Sequence, residues 1–220
     1  MNVTRVSVLF LVLFAPFAAA QLPDVQEGIF KSPLNSANRP RFREICRGIS
    51  SQPVVRGDFV QTRTIKSLGR TLVSSGVFTI SREGMIWDTR KPYPSITAVG
   101  RDYLVEINGG KKTRLETAGN AAFVRIAETM SAVFSGDAKA LEEGFEVYFA
   151  ESNGAWSLGL IPRDPLIKQF APAIIIKGSS GTHIASLFFQ EQKGDTISYA
   201  LSNQQFAQSL TDDEKACFSR

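Results

Sequence analysis

Histidine and cysteine are nearly missing from this 220-residue sequence, which has one His and two Cys. A zinc cage, an iron–sulfur cluster or a Ser-His-Asp triad would rest on His183 or on the Cys46 and Cys217 pair alone. No metal ion, cofactor or catalytic residue is therefore expected. Excess charge of one sign is scarce too: 25 Lys and Arg stand against 21 Asp and Glu, and the densest basic run is Lys111-Lys112-Thr113-Arg114. Nucleic acid is a poor partner for so small a surplus. Hydrophobic residues at 43% and charged residues at 21% exclude wholesale disorder. Phenylalanine, by contrast, is abundant at 16 residues. Poverty in catalytic nitrogen and sulfur beside a wealth of apolar rings points to binding rather than chemistry.

Long apolar runs are absent except at the start. Arg5 precedes the apolar stretch from Val6 to Phe17, and Ala18-Ala19-Ala20 stands before Gln21. This is the pattern of a secretory signal peptide at residues 1–20, cleaved after Ala20, leaving residues 21–220 as one exported, soluble domain. The run is short for a membrane span, and no Cys stands at the cleavage point to accept a lipid. In an oxidising compartment Cys46 and Cys217 either bridge, tying the two ends of the chain, or remain two separate buried thiols.

Along the mature chain, Phe42, Ile45 and Ile49 have helical spacing within Arg41–Ile49. From Val54 the period falls to two, and strands are predicted at Val54–Arg63, Leu72–Ser81, Gly84–Thr89, Ser95–Gly100, Tyr103–Ile107 and Lys112–Glu116. Asn108-Gly109 between the last two is a hairpin signal. Asn120–Phe134 returns to helical spacing, and Asp137 can cap a short helix through Leu141. Alternation resumes around Phe145–Phe149, Trp156–Leu160, Ala173–Lys177, Thr182–Gln190 and Asp195–Asn203, with a short helix at Asp164–Phe170. Thr211 and Glu214 have the spacing of a capping box for a last helix carrying Cys217. About eleven strands joined by short turns make an α+β chain with a large antiparallel meander. A sheet that wide has to curl.

One face of the meander collects Phe59, Phe78, Ile80, Trp87, Phe145, Val147, Phe149, Trp156, Leu158, Leu160, Ile174 and Ile176. These side chains make either a solid core or the wall of an apolar pouch. Strands of eight to ten residues would frame a hollow about 25–30 Å deep, close to the length of an acyl chain. The mid-chain helix, with Phe123, Ile126, Met130 and Phe134 on one face, has the composition of a deformable lid over its mouth.

The motif order resembles a known family. Gly57-Asp58-Phe59-Val60-Gln61 is followed by Leu72, Ser75-Gly76 and Phe78, then by Arg82-Glu83-Gly84-Met85-Ile86-Trp87 ending at Lys91-Pro92. Trp156, Leu158, Leu160 and Pro162 come later, then Ile174, Ile176 and Gly178. This succession is similar to the periplasmic outer-membrane lipoprotein carriers of the LolA type, in a divergent branch. The resemblance implies an unclosed antiparallel β-barrel of about eleven strands with helices forming a lid (a LolA/LolB-like fold). It also implies a monomeric periplasmic carrier for acylated lipoproteins or other acyl-bearing envelope lipids. Its partners would be an inner-membrane ABC transporter complex and an outer-membrane lipoprotein acceptor. By the same resemblance Arg82 would latch the lid helices, although the family's Arg-Pro pair reads Arg82-Glu83 here. A carrier of a different envelope lipid or glycolipid, and a non-catalytic assembly protein, are the alternatives. An enzyme finds little support: Glu142-Glu143 and Asp212-Asp213 sit at helix ends, and Ser179-Ser180-Gly181 lacks a nucleophile-elbow pattern.

Overall fold

The computed structural model describes residues 28–116, 121–179 and 183–219; the leader expected at residues 1–20 lies outside them. After a single 3₁₀ turn, Gly28–Lys31, the helix α1 (Arg39–Ser50) begins two residues before the expected Arg41. Pro40 sits in the first turn, where a missing N–H costs nothing and a fixed φ favours the helix. Strands β1 (Val54–Ile65), β2 (Arg70–Ser81), β3 (Met85–Lys91), β4 (Ser95–Val99), β5 (Tyr103–Asn108) and β6 (Lys111–Glu116) follow. Helices α2 (Ala121–Ser135) and α3 (Ala138–Gly144) come next, then β7 (Phe145–Ser152) and β8 (Ala155–Pro162). Helix α4 (Pro165–Phe170), β9 (Ala173–Ser179), β10 (His183–Gln190), β11 (Thr196–Ala207) and α5 (Asp212–Phe218) complete the order.

The eleven strands form one antiparallel sheet in the order β6-β5-β4-β3-β2-β1-β11-β10-β9-β8-β7. The edges β6 and β7 do not pair with each other, so the sheet is an unclosed barrel with helices attached. β1 and β2 run past their apolar alternation to Ile65 and Arg70, because the ladder continues to the turn, where Gly69 takes φ +56°. The β5–β6 hairpin turns on Gly109 and Gly110, both at positive φ, as a two-residue hairpin loop requires. Each edge is shielded. The N-terminal arm pairs with β7: the Leu34 N–H donates to the Val147 carbonyl, and the Phe149 N–H donates to that of Ser32, both at 2.9 Å. Against β6, Lys112 Nζ donates to the carbonyls of Ala216 and Ser219 at 2.8 Å each.

The two sheet faces carry separate cores. The concave face holds a large apolar cluster that includes Phe59, Phe78, Trp87, Leu160 and Ile176. On the convex face, Ile86, Ala98 and Val105 pack with Cys217 of α5. Because alternate residues point to opposite sides, the sheet itself separates Cys217 from Cys46, which lies in the concave cluster. The bridge between Cys46 and Cys217 is therefore a correction: both thiols are free and buried.

Candidate functional site

Eleven of the twelve residues expected along the concave wall are buried, and the twelfth, Ile80, is half-buried against the same cluster. The register explains the convergence. Phe78 pairs with Trp87, Leu158 with both Phe149 and Ile176, and Leu160 with Val147 and Ile174, so each apolar side chain meets another across the ladder. Trp87 is a hub: its ring lies 5.5 Å from Phe134, 5.8 Å from Tyr199, and 6.1 Å from both Phe59 and Phe78. Trp156 is fully buried, and its neighbour across the ladder is Gly178, where an added Cβ would stand 2.2 Å from the indole.

Described parts of the helices occupy some of the expected acyl-length hollow. Phe42, Ile45 and Cys46 of α1, Val133 and Phe134 of α2, and Leu141 of α3 belong to the same cluster as the wall. Between α1 and the sheet there remains a space of about 10 Å³, near the threshold for a single water. Over the described residues these helices do not merely roof the curve; their apolar faces pack into it. Of the lid residues, Phe134 is buried against Trp87 and Met130 is half-buried, while the side chains of Phe123 and Ile126 lie outside the described set. Gly136, at φ +64°, makes the turn from α2 to α3, where a Cβ would stand 2.6 Å from the Cys46 carbonyl. Burial, with lesser contributions from Glu142 and Asp137, pushes the Cys46 thiol up to about 12.

Open volume lies at the rim. A cleft of about 930 Å³ runs between α1, the start of β1, the end of β2 and the α2–α3 turn. A smaller one of about 280 Å³ opens on the other side of the β2–β3 turn. Ile80, Arg82, Phe134 and Asp137 line both. The latch expected of Arg82 is a second correction. Its side chain is exposed and makes no hydrogen bond or ion pair among the described residues, although the helices are seated. α2 is tied instead by Arg125, whose guanidinium donates to the Asp164 carboxylate. Asp164 also caps α4, accepting from Leu166 N–H at 2.8 Å and Ile167 N–H at 3.4 Å. Its pKa lies below the ordinary value: desolvation pushes it up, but these backbone donors and Arg125 outweigh that effect. The Asp164-Pro165 cap is visible in the sequence, but its partner 39 residues away gives no local signal.

Residues 51–215 match the family model of the outer membrane lipoprotein carrier protein LolA. The chain belongs to this family. The LolA family is one of carriers and not of enzymes, and the unclosed sheet with seated helices is the architecture of this LolA-family chain. No curated protein matches its sequence. Among solved structures, a LolA superfamily protein from Nitrosomonas europaea is similar at 8% identity, covering 77% of this chain and 94% of that one with a TM-score of 0.40. LprF from Mycobacterium bovis is similar at 9%, covering 83% and 99%, with a TM-score of 0.43. The lipoprotein LppX from Mycobacterium tuberculosis is similar at 10%, covering 78% and 99%, with a TM-score of 0.40. Likenesses this remote bear on neither ligand nor partner, so the assignment rests on the family match.

Proposed function

We propose that this LolA-family chain is an exported periplasmic carrier that takes the acyl chains of lipoproteins into its concave face. In this reading it receives cargo from an inner-membrane ABC transporter complex and delivers it to an outer-membrane acceptor. The observation that carries the proposal is the filling of an aromatic-walled trough by side chains of a separate helix, α2, held at one end by an exposed ion pair. Burying one methylene is worth about 0.8 kcal/mol, so a single long chain gains about 10 kcal/mol by leaving water. A trough that stood empty would bind such a chain too tightly for release. When Phe134, Met130 and Val133 occupy the wall, each apolar contact that the ligand gains replaces one made by α2, and net affinity falls. Loading then requires α2 to leave the trough.

The chain's two tryptophans, Trp87 and Trp156, both face this interior, which supplies the test. Adding a phospholipid or lipopeptide with dibrominated acyl chains is expected to quench more than half of the tryptophan fluorescence, and Trp87→Phe is expected to remove part of that quenching. An unquenched spectrum at saturating lipid would defeat the carrier reading.

A further inference from the structure

The larger rim cleft is rich in charge, and most of that charge is already matched. The Glu142 carboxylate accepts from Arg43 at 2.9 Å and meets Arg39 at 3.3 Å. Glu143 lies 3.8 Å from Lys139, and the Asp137 carboxylate accepts the Ala140 N–H at 3.0 Å as the cap of α3. Two guanidiniums on the lining are left over. Arg47 on α1 and Arg82 at the β2–β3 turn have no side-chain partner among the described residues. They belong to separate elements that face the same opening. The floor below them is apolar: Ile49, Val55, Ile80 and Phe134. Ile49 and Gly136 also line the small space beneath, and Phe134 leans on Trp87, so the cleft is the entrance to the trough.

From this arrangement we infer that the cleft is a headgroup site for an anionic amphiphile: a phosphate-bearing lipid held by Arg47 and Arg82, its tails passing between α1 and α2. Guanidinium forks match phosphate oxygens in pairs, and such charge-assisted bonds are stronger than neutral ones. A volume of about 930 Å³ accommodates a headgroup together with the first part of its chains. The acylated terminus of a lipoprotein carries no negative charge, so it leaves both arginines unsatisfied. The inference rests on the trough's reading as an acyl-binding site and goes beyond the lipoprotein reading, assigning the cleft a phosphate-bearing lipid.

Dilauroyl phosphatidic acid and dilauroylglycerol differ only in the phosphate and separate the two ideas. Binding of each to the protein in neutral detergent micelles is read from tryptophan fluorescence. Wild-type protein is expected to prefer phosphatidic acid by about tenfold or more. The double variant Arg47→Gln/Arg82→Gln, checked for an unchanged near-UV circular dichroism spectrum, is expected to bring that ratio to within about twofold. Arg90→Gln, a loss of the same charge on β3 outside the cleft lining, is expected to keep it. Equal binding of the two lipids by wild type, or a ratio untouched by the double variant, overturns the headgroup site while the carrier reading stands. Binding of neither lipid overturns both.

Discussion

Glu214 lies where three segments of the chain meet. Its carboxylate accepts from Arg56 Nε at 2.6 Å and from a second Arg56 nitrogen, from Thr79 Oγ1 at 2.8 Å, and from the Thr211 N–H at 2.7 Å. These donors, Arg56 first, pull its pKa down to about 2 against the opposing effect of burial. A carboxylate whose folded pKa is depressed contributes stability in full above its unfolded value and loses it as pH falls toward the folded one. The window is therefore from about 4.5 down to about 2, and the contribution is about 2 kcal/mol once solvent screening is allowed for. Glu214→Gln is expected to flatten the loss of stability between pH 5 and pH 3 in urea unfolding, and to lower stability at pH 7. Half of this site was legible in the sequence. The spacing of Thr211 and Glu214 announces a capping box, and the box forms. Arg56 sits 158 residues away, and only the docking of α5 on the convex face brings it near.

At the scale of the element, α2 is the part of the molecule that the proposed function has to move. Its period and composition were readable, and the helix spans Ala121–Ser135 against an expected Asn120–Phe134. Where it would lie was not. Amphipathic spacing states which face is apolar, not whether that face roofs a hollow or fills it. The C-terminal half is anchored by Phe134 on Trp87, whereas toward the N-terminal end the Arg125–Asp164 pair at the edge of α4 ties the helix among the described residues. An exposed pair of this kind is weak and screened by salt. Arg125→Gln is expected to raise amide hydrogen exchange in α2 a few-fold while β1 and β2 keep their protection. In the wild type, 0.5 M NaCl is expected to reproduce part of the effect. Unaltered exchange in α2 would mean that packing alone holds the helix.

For the whole molecule, the two free cysteines report from opposite sides of the sheet. Cys46 lines the small space under α1 and has its thiol pushed up to about 12, so at pH 8 little of the reactive thiolate is present. In a Cys217→Ser background, iodoacetamide is expected to modify Cys46 slowly, and faster once acyl lipid or Arg125→Gln displaces α2. Alkylation of resting protein at the rate of a free thiol would contradict the closed interior. The sequence by itself determined the strand alternation, the turns, the helix periods, the caps and the order of motifs, because each depends on residues within a few positions of one another. The family match over residues 51–215 is likewise a property of the sequence. Only the tertiary structure decided that α1 and the C-terminal half of α2 pack into the trough, that Cys46 and Cys217 face opposite ways, and that Arg125 rather than Arg82 ties down α2. Those outcomes depend on which distant surfaces meet when an eleven-stranded sheet curls, and the curl is set by twist and packing summed over all the strands.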